Sequence, residues 1–116
     1  MRLESKKYLY DVRQAVLRLQ AFTAGKSFVD YQHDALLRAG VERQLEIVGE
    51  ALNQLARTDP ETAARIGEHR RIIAFRSILI HGYAEVDDRV VWSVVESKLP
   101  TLLREVEGLL EEPEGS

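Results

Sequence analysis

Leu37-Arg38-Ala39-Gly40-Val41-Glu42-Arg43-Gln44-Leu45-Glu46-Ile47-Val48-Gly49-Glu50-Ala51-Leu52-Asn53-Gln54-Leu55 is the stretch on which the fold turns. Leu37, Val41, Leu45, Val48, Leu52 and Leu55 recur at intervals of three and four, which puts them on one face of an α-helix, and Leu36, Ile47 and Ala51 widen that face. The spacing predicts a helix over residues 31–57. A seam this long needs more than one neighbour to cover it, which points to a helical bundle. Gly49 and Ala51 let a neighbouring helix come close, although glycine inside a helix costs about 1 kcal/mol relative to alanine. Glu50 and Asn53 then lie beside a tight contact. Simple surface exposure is the alternative for both, since charged and amide side chains mostly face water.

Outward from this helix the same period repeats. Residues 5–23 carry Leu9, Val12, Val16 and Leu19, with Ser5 as the expected N-cap and Gly25 as the stop; residues 25–30 read as a short connection. Gly25-Lys26-Ser27 has the tail of a Walker loop but lacks the upstream glycine and strand that would cradle a phosphate, and is set aside. On the other side, Asp59-Pro60 is a helix start, with an N-cap acid followed by a proline whose missing N–H costs nothing there. A short helix over 62–66, closed near Gly67, is followed by one over 69–80 and a connection over 84–88. A final helix, capped by Asp87 or Asp88, runs to about residue 111 on Val91, Val95, Leu99, Leu102, Val106 and Leu109. Pro100 falls inside that pattern and must kink or split the helix. The expected fold is all-α: an antiparallel bundle of four long helices plus a short one, a single domain over 1–112 with a frayed polar tail at 113–116.

Composition narrows the function. With 116 residues and no cysteine, the chain can bury a core but cannot build a disulfide framework or a thiolate metal site. Nothing near the N-terminus reads as a signal peptide and no apolar run is long enough to span a membrane, so a cytoplasmic location is expected. A net charge of −3 argues against coating nucleic acid by broad electrostatics. Any contact with nucleic acid must be local, and one basic cluster, Arg65, His69, Arg70, Arg71 and Arg76, offers it; a solvated surface is the competing reading.

That cluster leads into Arg76-Ser77-Ile78-Leu79-Ile80-His81-Gly82-Tyr83, where capable polar side chains interrupt an apolar run ahead of a helix breaker. Ile72, Phe75 and Leu79 make the core stripe, with Arg76 on its border. Arg76 and Tyr83 are about two turns apart, whereas His81 sits about 140° from Arg76 on an ideal helix. Uniting all three requires a bend at Gly82, a second subunit, or both. A histidine at a helix C-terminus is favoured in its protonated form by the helix dipole. Taken singly, His81 reads as a helix cap, Arg76 as a surface ion pair and Tyr83 as a half-buried aromatic. His33 and His69 have no such company, and no acid and histidine cluster has metal-ligand spacing, so no metal or other cofactor is expected.

An arginine, a short spacer and a histidine at a helix end resemble the defining pattern of the HEPN superfamily, and Arg76, His81 and Tyr83 together resemble its HepT-type toxins. Residues 41–53 are similar to the second-helix signature of that subfamily, and Asp88, Val91-Trp92 and Leu99-Pro100 to its last helix. Ser77 departs from the pattern, which usually has a polar amide or acid there. The resemblance implies a metal-independent endoribonuclease, the toxin of a type VII-like toxin–antitoxin system, with a site composed across a homodimer and products ending in cyclic 2′,3′-phosphate. His81 would transfer protons, since its ordinary pKa lies near working pH, and Arg76 would stabilise the phosphate. Arg70, Arg71, Ser77, Glu50 and Asn53 would support the site or bind RNA. Tyr83 would accept AMP from a cognate MntA-type nucleotidyltransferase antitoxin, silencing the toxin. A non-catalytic nucleotide-binding or partner-binding subunit of a nucleotidyltransferase complex is the alternative, and a purely structural dimerisation bundle the third reading.

Overall fold

The seam that begins the sequence reading becomes the spine of the fold. In the computed structural model, which describes residues 1–81 and 86–113, α3 (Ala35–Thr58) buries Val41, Leu45, Val48, Ala51, Leu52 and Leu55. It lies between α1 (Leu3–Thr23) and α5 (His69–His81), and α1 in turn packs on α7 (Leu99–Leu110). The face of α1 that meets α3 is the expected one, Leu9, Val12, Val16 and Leu19, each fully buried. Such a side chain contributes about 1.5–3 kcal/mol when taken out of water. Arg2 donates to the Thr58 carbonyl at 2.9 Å, while the Phe22 ring lies against Gly40. The start of α1 therefore meets the end of α3 and its end meets the start of α3, so the pair is antiparallel.

The fold is all-α among the described residues, with the four long helices expected, the last of them divided into three segments, but with two separate short helices rather than one. The helix expected over 31–57 is divided. Ser27 and Asp30 form a reciprocal capping box that starts α2 (Phe28–Gln32), of which residues 28–30 were expected to be connection, and Asp34 accepts from the Leu37 N–H at 3.0 Å to start α3. Two strong N-caps seven residues apart nucleate two helices instead of one. Tyr31, on α2, is fully buried and stacks on Trp92 with ring centroids 5.3 Å apart, anchoring the short helix to the last one. His33 is exposed at the end of α2.

The second correction concerns Ser5. It does not cap α1, which begins at Leu3 after Arg2; instead it is fully buried and donates its hydroxyl to Asp59 at 2.7 Å. Asp59 is the N-cap of α4 (Pro60–Ala64), with Pro60 in the first turn as read.

The last rod runs α6 (Asp88–Ser93), a π-helical segment (Val94–Lys98) and α7, with Asp87 as N-cap. The Leu99 N–H reaches the Val94 carbonyl, five residues back, so the backbone takes up one extra residue per turn just before Pro100. This widened turn is the break that proline requires, and it keeps Val91, Val95, Leu99, Leu102, Val106 and Leu109 all on the buried side. No helix of the described residues is long and apolar enough to cross a membrane. Of the connection expected over 84–88, residues 86 and 87 are non-helical, Asp88 already belongs to α6, and 84–85 lie outside the described residues, as does the tip of the tail at 114–116.

Candidate active site

Arg76 sits on α5 where that helix presses against α3. Its stem lies over Gly49, and a Cβ built on Gly49 would come within 2.4 Å of the Arg76 Cβ, far closer than non-bonded carbons approach. The glycine thus permits the helix contact that the sequence predicts, and the contact fixes the root of the arginine side chain. At the other end, Arg76 Nη2 forms an ion pair with Glu50 Oε2; the two side chains are 26% and 45% exposed. The pair meets by charge rather than by an aligned hydrogen bond, because both Arg76 Nε and Glu50 Oε2 are buried without a hydrogen-bond partner among the described residues. Gln54, one turn further along α3, donates to Glu50 Oε1 at 3.1 Å.

These groups floor a cleft of about 350 Å³ between α1, α3 and α5. Ile47, Ala51, Ile80 and Tyr8 supply apolar wall, and three ion pairs line it: Arg76 with Glu50, Arg43 with Glu46 at 3.2 Å, and Lys7 with Asp11 at 3.1 Å. The cleft is therefore charge-balanced. An incoming phosphate meets cations already matched with carboxylates.

Of the residues singled out in the sequence, Arg76 and Glu50 come together. Asn53 is half-buried one turn from Glu50 but does not line the cleft. The basic cluster does not form one surface. Arg65 forms a two-pronged pair with Glu112, His69 Nδ1 lies 2.8 Å from the Ile66 carbonyl, and Arg71 pairs with Glu68 at 3.7 Å. A helix sends successive residues around its circumference, so Arg70 and Arg71 are exposed while Arg76 faces α3. Ser77 is exposed beside Arg76.

His81 is in the last turn of α5, and the helix is continuous from Arg76 to it, which leaves their backbone positions about 140° apart around the axis. The His81 side chain, the turn expected at Gly82, and Tyr83 lie outside the described residues. Gln54, Tyr8 and Arg43 were missed by the sequence reading. Glu46, Glu50 and Gln54 recur every four residues on the face beside Gly49, and that polar row was the available signal. Among the described residues no group of three or more His, Cys, Asp or Glu is placed to hold a metal ion.

Comparison with known proteins adds a family. The sequence model described as ribonuclease HepT-like matches residues 12–109. A protein of Thermococcus cleftensis named as a probable ribonuclease HepT is 34% identical over 113 residues, covering 94% of this chain and 98% of that one. A protein of Methanocaldococcus jannaschii provisionally named an RNase is 28% identical over 88% of this chain and 93% of its own length. Another, from Caldanaerobacter subterraneus and named in the same provisional way, is 30% identical over 91% of this chain and 94% of its own. No solved structure matches the chain.

Proposed function

This chain belongs to the ribonuclease HepT-like family, and from that premise we propose that it is an endoribonuclease toxin of a type VII-like toxin–antitoxin system, acting in the cytoplasm without a metal ion. The observation that carries the reading is Arg76, seated on Gly49 at the floor of a cleft and five residues ahead of His81 in one helix. In the reaction, the RNA 2′-hydroxyl attacks the adjacent phosphorus and gives up its proton. The 5′-oxygen leaves and takes a proton, so the products are a cyclic 2′,3′-phosphate and a 5′-hydroxyl. His81 moves the protons, and the planar guanidinium of Arg76 stabilises the negative charge that builds on the phosphoryl oxygens.

One helix carries Arg76 and His81 at positions about 140° apart, which supports a site completed by a second copy of the chain. The outer face of α5 suits that contact, with Ile78 53% exposed beside Ser77 and Arg70. Two copies then provide two arginines and two histidines to one cleft. Exposed Arg70 and Arg71 contact the RNA backbone, and Asn53 supports α3 beside the site. Tyr83, two residues beyond His81, accepts AMP from a nucleotidyltransferase antitoxin of the MntA type, and the added phosphate and nucleoside block the cleft.

The second reading, a non-catalytic nucleotide-binding or partner-binding subunit of a nucleotidyltransferase complex, draws on the paired state of the cleft's cations. Incubation of purified protein with total RNA in EDTA separates the two. The nuclease reading expects cleavage by the wild type and none by a folded, equally dimeric His81→Ala variant. Equal activity in both would remove His81 from the chemistry, and no cleavage by an unmodified wild type that binds nucleotide would favour the second.

A further inference from the structure

We infer that Gln54 and Glu50 form a positioning relay that sets the guanidinium of Arg76, an inference that rests on the nuclease reading for its kinetic consequence. The relay is linear. The Gln54 amide donates to one carboxylate oxygen of Glu50 at 3.1 Å, and the other carboxylate oxygen meets Arg76 Nη2. Glu50 and Gln54 are one turn apart on α3, so the donor and the carboxylate it holds share a face of one rigid helix. Arg76 comes from a different helix, and its stem is pinned where it crosses Gly49.

An arginine side chain carries several rotatable bonds, and a free one loses rotamer entropy on binding phosphate. Here packing holds the root and a carboxylate holds the tip. Glu50 meets one amino group of the fork and leaves Nη1 outside that contact, so the arginine is oriented without all of its donors being taken. A group set in place before reaction stabilises developing charge without the cost of reorganising at that moment. Gln54 is needed because a half-exposed glutamate is itself a flexible side chain, and an amide on its far oxygen restricts it. The same polar row of Glu46, Glu50 and Gln54 makes the cleft wall beside Gly49 polar, although it faces Ile47 and Ile80.

The relay assigns Gln54 and Glu50 no contact with substrate, so their loss changes the rate through Arg76 alone. The test is a double-mutant cycle on the full chain, Gln54→Leu with Arg76→Lys, read by RNA cleavage and by the side-chain Nε–Hε resonance of Arg76 in nitrogen-edited NMR. Gln54→Leu is expected to lower kcat about tenfold with little change in KM, and by less than about twofold in the Arg76→Lys background. It is also expected to shift and broaden the Arg76 Nε–Hε signal, while Gln54→Glu, which sets a second negative charge against Glu50, disturbs it further. An unmoved resonance in Gln54→Leu, or rate effects that multiply independently, would overturn the relay. A wild type that cleaves no RNA would defeat the nuclease reading instead, and the resonance would still decide the relay.

Discussion

Two polar clusters sit against the same helix, one at the end of α3 and one at its middle, and they are built to opposite rules. At the end, the Asp59 carboxylate accepts from the Ser5 hydroxyl, the Thr62 hydroxyl and the Thr62 N–H at 2.7, 2.7 and 3.2 Å. Those bonds, from Thr62 first and Ser5 next, hold its pKa below the ordinary value of 3.8. At the middle, Glu50 and Arg76 meet by charge with a buried atom on each side lacking a hydrogen bond among the described residues, and a cleft opens beside them. The closed cluster joins the starts of α1 and α4 and has nothing left to offer a ligand. The open one keeps donor capacity in reserve, which is what a site for a charged substrate requires.

The comparison predicts that substitutions at the middle of α3 act on reaction and those at its end act on stability. The largest effect is expected from Arg76→Ala, a loss of more than about 100-fold in RNA cleavage with little change in melting temperature; a variant that melts early and cleaves normally when folded would reverse the assignment. Next comes Gly49→Ala. Its added Cβ must push α3 and α5 apart, so a destabilisation of about 1–3 kcal/mol in denaturant titration is expected together with a loss of cleavage below the transition.

Asp59→Ala removes a helix cap and orphans the Ser5 hydroxyl, for about 2 kcal/mol in the same titration, with turnover unchanged well below the melting point. The same carboxylate gives a pH dependence. Because its pKa is lower in the folded state, its contribution is complete above the unfolded value and is lost as pH falls through the folded one. Acid titration of stability should therefore be flatter below pH 3.8 in Asp59→Asn than in wild type. The smallest effect is expected from Ser5→Ala, about 1 kcal/mol, read as a lowered denaturant midpoint with no change in kcat.

The two clusters also mark how far the sequence could be read. Everything governed by local period was legible: the seam of α3, the face of α1, the cap at Asp59, and the six apolar positions of the last rod, even with Pro100 among them. Gly49 was legible as a close contact because a mid-helix glycine has few other reasons to be there. Ser5 was misread because its partner is fifty-four residues away, and a serine near a helix start looks like a cap whether or not it is one. The start of α2, residues 28–30, was read as connection and its end as part of the next helix, because five residues carry too little period to outweigh a preceding glycine. The row of arginines before Arg76 looked like one patch in sequence, yet Arg65 ends α4, Arg70 and Arg71 lie on the exposed side of α5, and carboxylates take up Arg65 and Arg71. Glu50 could be placed beside a tight contact, but its pairing with Arg76 and its support by Gln54 depend on how two helices meet, which no single helix specifies.

The most direct measurement is cleavage of a defined oligoribonucleotide in EDTA by wild type and Arg76→Ala, beside the same oligonucleotide with a 2′-deoxy residue at the cut position, with the product ends identified by mass spectrometry. A cyclic 2′,3′-phosphate and a 5′-hydroxyl are expected from the wild type on the ribose substrate, and no cut at that position in either other reaction. Cleavage of the 2′-deoxy substrate at the same position, or undiminished cleavage by Arg76→Ala, would contradict the nuclease reading.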